Sequence, residues 1–174
     1  MRRTRLLVVV LAAVALSLAG TASASASGGG GGGYDPGRPP EIGWLGPVAW
    51  GSGQEQVTVL GTYRCWGPSA DMHLWVSVKQ GGPDPTEEGS SSTVDSWYDT
   101  NVSMDTAVTC NGRWQVATVD LGRNPTDFTG RELGSLQWGR AWLQFCLVPP
   151  GAEEDPALLA SKTRWVHVLG VGHP

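Results

Sequence analysis

From Ile42 onward, the chain consists of short apolar runs whose side chains alternate with polar ones, and no amphipathic helical stretch of useful length interrupts them. Successive side chains of a strand point to opposite faces, so alternation with a period of two is typical of strands with one buried face. Clusters of Gly, Pro, Asn and Ser between the runs supply the turns. The pattern predicts an all-β domain, and we expect an immunoglobulin-like antiparallel β-sandwich of about seven strands.

Four runs show the alternation most clearly, and their inward positions supply most of the predicted core residues. They are residues 56–65, 73–80, 140–148 and 163–170. Their inward side chains are mainly aliphatic, and the expected core includes Val57, Val59, Tyr63, Leu74, Val76, Val78, Leu143, Phe145, Leu147, Val166 and Val168.

Residues 107–118 predict a hairpin around the turn dipeptide Asn111-Gly112. A two-residue loop would mix apolar and charged positions on one face. A three-residue loop over 111–113 instead places apolar residues opposite one another, Cys110 with Trp114 and Val108 with Val116. We therefore favour the longer loop.

The N-terminal residues 1–26 have the three parts of an export signal. Three arginines precede an apolar run over 6–19, and small residues follow up to Ala26, after which we place the cleavage, with Ala24 as second choice. The run of about 14 residues is shorter than the roughly 20 that a membrane-spanning helix needs. A lipoprotein signal would need a cysteine where Thr21 stands. We expect a secreted protein that is released into the extracellular space.

The rest of the chain divides into a tail and one domain. Residues 27–41 hold six consecutive glycines and three prolines, which cannot bury enough apolar surface to offset the entropy of ordering, so they predict a flexible tether. Residues 42–174 have a suitable length for a single β-sandwich domain. Within it, the segment 81–106 has six acidic residues and no basic one, and we expect a solvated acidic loop.

The charge of the chain argues against nucleic acid as a partner. The sequence has 12 basic and 16 acidic residues, a net charge of −4, and loss of the three leader arginines leaves 9 basic against 16 acidic, a net charge of −7. An acidic surface repels phosphate backbones. We also expect no membrane partner after cleavage of the signal, and a monomeric protein.

Three cysteines in an exported chain allow one disulfide and leave one thiol. Cys65 and Cys110 lie on inward faces, whereas Cys146 shares a face with Gln144. We therefore predict the bridge Cys65–Cys110, which closes a long loop and stabilises the fold by about 4 kcal/mol. The immunoglobulin-like alternative, Cys65–Cys146 beneath Trp75, puts that indole on the wrong face. Cys146 is then a buried thiol or, as the less common outcome, a link to a second copy.

The strings GTYRC at 61–65, VSVKQ at 76–80 and AVTCNGRW at 107–114 support a family comparison. They resemble a family of small secreted actinobacterial domains of unknown function with a predicted immunoglobulin-like sandwich, over roughly residues 55–148. The resemblance implies that Cys65 and Cys110 form the family's bridge, in agreement with the face argument. It carries over no catalytic residue, because the family has no assigned activity.

The nine tryptophans are several times the usual share, and their placement indicates a binding surface. In an immunoglobulin-like order, three outward indoles and their polar neighbours share one sheet. This predicted ligand face consists of Trp75, Trp142 and Trp165 with His73, His167, Gln144 and Ser77. Flat aromatic strips of this kind bind the apolar faces of sugar rings. The alternative is that Trp44 and Trp50 fold over the face and bury it.

These observations predict a non-catalytic binding module for an extracellular polysaccharide or a cell-envelope glycan. The alternative is a domain that binds or inhibits a secreted protein through the acidic loop or a strand edge. A hydrolase is a remote alternative, because the three histidines lack metal-ligand spacing and no Gly-x-Ser-x-Gly elbow is present. We expect no enzyme activity, no cofactor and no metal, since the carboxylates of the acidic loop are too scattered for calcium.

Overall fold

The computed structural model describes residues 38–67, 72–86, 94–103, 108–148 and 160–171. All of them belong to one compact unit, Gly31–Pro174. They form one turn of helix, α1 (Thr100–Ser103), and eight strands: β1 (Glu41–Leu45), β2 (Val48–Gly51), β3 (Gln56–Arg64), β4 (His73–Gln80), β5 (Ser96–Asp99), β6 (Gln115–Arg123), β7 (Gly139–Val148) and β8 (Ala160–Leu169). The predicted signal peptide 1–26, most of the predicted tether 27–41 and two parts of the acidic segment, 87–93 and 104–106, lie outside the described residues.

The strands form one sheet that closes on itself as a barrel. β3 pairs along one edge with β1 and β2, and along its other edge with β6. From β2 the sheet continues through β8, β7, β4 and β5 back to β6. All of these neighbours are antiparallel except β2 and β8, which run parallel.

The all-β prediction is confirmed, but the structure shows a barrel of eight strands in place of the predicted immunoglobulin-like sandwich of about seven. A sandwich consists of two sheets with separate edges. Here β3 pairs with β6 over eight positions, from Gln56↔Gly122 to Tyr63↔Gln115. The short strand β5 then connects β6 to β4. These two connections join the strands into one continuous wall.

The segment predicted as a solvated acidic loop, 81–106, contains part of that wall. β5 and α1 lie within it, and Asp99 is buried there, where its Oδ1 accepts a hydrogen bond from the Asn101 N–H at 3.0 Å. Tyr98 points into the barrel and donates its hydroxyl proton to the carbonyl of Gln54. Burial is the main cause of the raised pKa of Tyr98. The prediction of a solvated loop is therefore wrong for 96–100, which are all buried.

The inward side chains of the long strands fill the barrel, as the alternation predicts. The fully buried members include Val57, Val59, Val76, Val78, Leu121, Leu143, Phe145, Leu147 and Val168. A Cβ at Gly61 would lie 2.7 Å from the Phe145 ring, so the absent side chain makes room for that ring. Each buried aliphatic or aromatic side chain contributes about 1.5–3 kcal/mol relative to an exposed one, so this interior is the main source of stability.

The hairpin predicted over 107–118 is wrong in its pairing. In the described part of that segment, 108–110 form no strand, and β6 takes β3 as its partner. The inward side chains of β6 are Ala117, Val119 and Leu121, so Val116 points outward and is 74% exposed. The 111–113 turn is present, with its Gly112 N–H donating to the carbonyl of Cys65 at 2.9 Å. The face that we assigned to Trp114 and Val116 is therefore reversed.

The Cys65–Cys110 disulfide is present, with a Cα–Cα distance of 4.6 Å and a sequence separation of 45. It ties the end of β3 to the segment that precedes β6. Beside it, the Thr109 N–H donates to the Tyr63 hydroxyl at 2.9 Å. Cys146 lies outside the bridge and is buried, and its sulfur accepts a hydrogen bond from the Gln144 amide at 3.7 Å.

Candidate functional site

The structure brings two residues of the predicted ligand face together on the outer side of β7 and β8. Trp142 and Trp165 are directly opposite in the ladder, and their rings meet edge to face with centroids 5.1 Å apart. The Arg140 guanidinium lies 4.4 Å above the Trp165 ring. Trp142 is half-buried and Trp165 is 39% exposed, so this pair presents a modest aromatic surface.

The other predicted members do not extend this pair into an exposed strip. Trp75 is half-buried and packs against a small apolar cluster of Val94, Trp97 and Leu133. Both Ser77 and Gln144 are buried. The two histidines are exposed but lie apart in the ladder, His167 opposite Arg140 and His73 opposite Val148. The third histidine of the sequence, His173, is not assigned to this face and lies outside the described residues.

A loop over 124–133 covers part of this side of the barrel. The Asn124 N–H donates to the carbonyl of Trp97 at 2.9 Å, and Nη2 of Arg131 donates to the carbonyl of Val94 at 2.6 Å. The Phe128 ring meets Trp97 edge-on, with centroids 5.2 Å apart. Trp44 and Trp50, which the sequence alternative placed over this face, lie instead in β1 and β2, and each is 53% exposed.

A second aromatic surface lies on the outer side of β1, β3 and β6. Val116 on β6 is opposite Thr62 on β3, and a bulge in β1 between Ile42 and Leu45 places Trp44 beside the same threonine. Trp114, which directly precedes β6, is 48% exposed. We call the surface of Trp44, Thr62, Trp114 and Val116 the indole face.

Local contacts hold both indoles of the indole face. The Thr62 hydroxyl accepts a hydrogen bond from the main-chain N–H of Trp44 at 2.7 Å and donates one to the main-chain carbonyl of Trp44 at 3.3 Å. The Trp114 ring lies over Gly43, where a Cβ would be 2.8 Å from the ring. Because each ring position depends on the β1 backbone, the bulge in β1 shapes the surface.

Alternating arginine and tryptophan side chains extend from the indole face. The Arg38 guanidinium lies 4.0 Å from the centre of the Trp66 ring, and the Arg64 guanidinium lies 5.0 Å from Trp66 and 4.8 Å from Trp114. Nη2 of Arg64 donates to Oε2 of Glu41 at 2.5 Å. Cation–π contacts of this kind contribute about 0.5–1 kcal/mol each at exposed sites. The stack therefore restrains the orientation of Trp114 before any ligand is bound.

Sequence reasoning missed the indole face for a specific reason. The predicted hairpin placed Trp114 and Val116 on the buried side, and no strand was predicted for 41–45. The polar residues Thr118 and Asp120 alternate with apolar ones and share a side of β6 with Val116. This pattern indicates that the side of β6 that carries Val116 points to solvent.

A separate cleft of about 290 Å³ is lined by Arg123, Pro125, Thr126, Glu132 and Leu133. Its one cation is already held, because Nε of Arg123 donates to both carboxylate oxygens of Glu55 at 3.0–3.1 Å. Nη1 of the same arginine donates to the Leu133 carbonyl at 3.1 Å. The cleft therefore presents a structural ion pair.

Neither a metal centre nor a membrane-spanning helix is found in the parts of the chain that the structure describes. Within them, no group of three or more His, Cys, Asp or Glu side chains could hold a metal ion. No helix among these residues is long and apolar enough to cross a membrane. In the acidic segment, Asp84 accepts hydrogen bonds from the hydroxyl and the N–H of Thr86, which lower the pKa of Asp84.

Comparison with known proteins gives no relative for the chain. No family model, curated protein or solved structure matches it. The resemblance to the secreted actinobacterial family stays a prediction.

Proposed function

We propose that this protein is a secreted, non-catalytic module that binds an extracellular glycan on the indole face. The observation that carries the proposal is the exposure of Trp44, Trp114 and Val116 side by side on one outer surface of the barrel. Exposed apolar surfaces of this kind are uncommon on soluble domains unless they bind something.

The chemistry of the indole face suits a sugar ring. Sugars combine apolar C–H faces with hydroxyl groups, so a binding surface needs flat aromatic area beside hydrogen-bonding side chains. Two indoles supply the aromatic area, and Arg64 and Glu41 lie beside them at one end. A rigid support also reduces the entropy lost on binding, and the Arg38–Trp66–Arg64–Trp114 stack supplies one.

The proposal relocates the ligand from the face predicted from the sequence. Trp75, Gln144 and Ser77 are wholly or partly buried, so the β7 and β8 side retains only Trp142 and Trp165 as adjacent indoles. Secretion is supported by the leader pattern and by a disulfide of the kind that persists in oxidising compartments. A protein partner that engages the acidic segment is the alternative function.

Retention on insoluble glycans by variants of single tryptophans tests the proposal. We expect Trp44→Ala and Trp114→Ala each to weaken retention on the best-bound of peptidoglycan, chitin and cellulose by about tenfold or more, because each loses buried indole area. Trp138→Ala, which removes another exposed indole, is the matched control and should bind as the wild type does. Thermal unfolding of each variant establishes that it is folded.

Trp165→Ala separates this proposal from the sequence prediction. If that variant loses retention while Trp44→Ala and Trp114→Ala keep it, the ligand lies on the β7 and β8 side and the indole face is not the site. If the wild type is retained on no glycan, the glycan proposal is wrong and the protein-partner alternative takes its place.

A further inference from the structure

The geometry points to an anionic glycan as the ligand of the indole face, one whose sugars carry carboxylate, sulfate or phosphate groups. This inference rests on the proposed function, because it specifies the ligand of the same surface. It starts from the charges beside the two indoles, which are opposite in sign to the net charge of −4 of the whole chain.

Cationic side chains cluster around β1 and Trp114. They are Arg38 and Arg64, which stack on indole rings, and the exposed Arg113, which directly precedes Trp114. Lys162 and Arg164 of β8 donate to the β1 carbonyls of Gly43 and Leu45, but they are opposite Phe145 and Leu143 in the ladder, so they lie on the inward side of β8 and are not part of this group. A group of like charges on one surface raises the local concentration of ions of the opposite sign.

Among the described residues, one carboxylate, that of Glu41, compensates part of this charge. Oε2 of Glu41 accepts from Nη2 of Arg64 at 2.5 Å, and its Oε1 lies 3.9 Å from Nη2 of Arg38. On β6 the next outward acid is Asp120, four positions beyond Val116, and its Oδ1 accepts a hydrogen bond from the Thr58 hydroxyl. Counted over the described residues beside Trp114, three arginines face one carboxylate, so this surface has a net positive charge.

Arg113 is the cation best placed for an incoming anion. It directly precedes Trp114, its side chain is exposed, and no ion pair found within the described ranges includes it. Its N–H donates to Oδ1 of Asn111 at 3.0 Å, which fixes the turn that carries it. Arg38 is half-exposed and is stacked on Trp66, and a stacked guanidinium keeps its in-plane N–H groups for an anion.

These positions divide the recognition of one ligand between two kinds of contact. Indoles bind the uncharged faces of sugar rings, whereas guanidinium groups bind carboxylate, sulfate or phosphate oxygens in a bidentate geometry. An anionic glycan offers both kinds of group along one chain. A neutral glycan would leave Arg113 and Arg38 without a role in binding.

Matched pairs of polysaccharides that differ in charge test the inference. The probes are polygalacturonate with its fully methyl-esterified form, and dextran sulfate with dextran, each immobilised and titrated with the full mature chain. We expect each anionic member to bind at least about fivefold more tightly than its neutral partner at low salt. Raising the NaCl concentration should abolish the difference, because exposed ion pairs are screened.

A charge-removing variant assigns the effect to this surface. We expect Arg113→Gln to weaken binding of the anionic member by about two- to fivefold and to leave any binding of the neutral member unchanged. Arg140→Gln is the matched control, since Arg140 is also an exposed arginine but lies over Trp165 on the other side of the barrel.

The outcomes separate this inference from the proposed function. Equal binding of both members of each pair, lost in Trp44→Ala, overturns the anionic ligand and leaves the glycan module standing. Anionic preference that is unchanged in Arg113→Gln but lost in Arg140→Gln also overturns it. No binding to any polysaccharide overturns both.

Discussion

Gly43 determines where the Trp114 ring can lie. A Cβ at this position would come within 2.8 Å of the ring and within 2.6 Å of Oγ1 of Thr62. Cores and close contacts of this kind tolerate little added volume, so a larger residue must displace the ring or the hydroxyl. Because that hydroxyl also binds the Trp44 backbone, one absent side chain positions both indoles.

The carboxylate of Asp127 organises the 124–133 loop, and its effect on stability depends on pH. Hydrogen bonds, first of all that from the Thr129 hydroxyl, hold the pKa of Asp127 at about 2, below its ordinary value of 3.8. Since the pKa is lowered by folding, the stability that this carboxylate contributes is present above its unfolded pKa and is lost as the pH falls towards 2.

We therefore expect Asp127→Asn to unfold at a lower urea concentration than the wild type at pH 7. The difference between the two urea midpoints should become smaller between about pH 4 and pH 2. Urea denaturation at a series of pH values measures it. Glu132→Gln, an exposed acid of the same loop, serves as the control. A difference that is the same at pH 2.5 as at pH 7 would contradict this role of Asp127.

At the scale of single residues, the sequence predicts whether a side chain points inward or outward when the residue lies in a long run of alternating apolar and polar positions. Trp142 and Trp165 lie in strands of ten residues, and both are on the predicted outer side. Trp114 lies at the start of β6, where only the partner strand decides which side is buried. The sequence does not predict whether an outward indole is exposed or covered. The 124–133 loop, which covers part of the outer side near Trp97, has no periodic pattern from which its position could be inferred.

At the scale of elements, β1 is held to β8 by side chains. No backbone ladder between these two strands is present in the part of the chain that the structure covers, and the connection consists of the bonds from Lys162 and Arg164 to β1 carbonyls. On its other edge, β1 pairs with β3 at three positions around the bulge. The strand that carries Trp44 is therefore anchored by few bonds.

We expect Arg164→Met to accelerate amide hydrogen exchange in β1 about tenfold and to leave exchange in the β3 and β6 ladder unchanged, because a charged hydrogen bond contributes about 1.5–3 kcal/mol. Exchange followed by mass spectrometry measures both. Arg140→Met, on the same sheet but away from β1, is the control. Uniform acceleration across the barrel would show that Arg164 supports the whole fold instead.

The sequence predicts the elements whose alternation is clear and misses the short ones. β3 and β7 begin and end within one residue of their predicted limits, and β4 has its predicted limits. β1, β2 and β5 have four or five residues each, and residues such as Gly43, Trp44 and Asp99 break an apolar alternation. Alternation also says nothing about which strand pairs with which.

At the scale of the whole molecule, the order in which the strands pair decides between a sandwich and a barrel, and the alternation does not contain this order. Both architectures require strands with one buried face, so the predicted core residues are the same. The difference lies in the pairing of β3 with β6 and in β5, a strand inside the segment that we had predicted to be a loop. Long-range pairing depends on the closing of the whole sheet, which no local pattern records.

The disulfide stabilises the whole barrel, and its removal should be measurable as global instability. It closes a loop with a sequence separation of 45, and we expect Cys65→Ser with Cys110→Ser to lower the free energy of unfolding by about 4 kcal/mol. Urea denaturation measures the change, with Cys146→Ser as the control for loss of a cysteine outside the bridge. A loss below about 1 kcal/mol would show that the bridge is not important for stability.

The position of the same bridge makes the arrangement of the aromatic stack depend on oxidation of the two cysteines. Cys65 stands between Arg64 and Trp66, and the Cys65 carbonyl accepts the Gly112 N–H of the turn before Trp114. Oxidation therefore joins the two chain segments that carry the aromatic stack. Under the secretion that we propose, the chain before export would hold these two segments together by hydrogen bonds without the covalent link, and the aromatic stack would take its final arrangement when the bridge forms outside the cell.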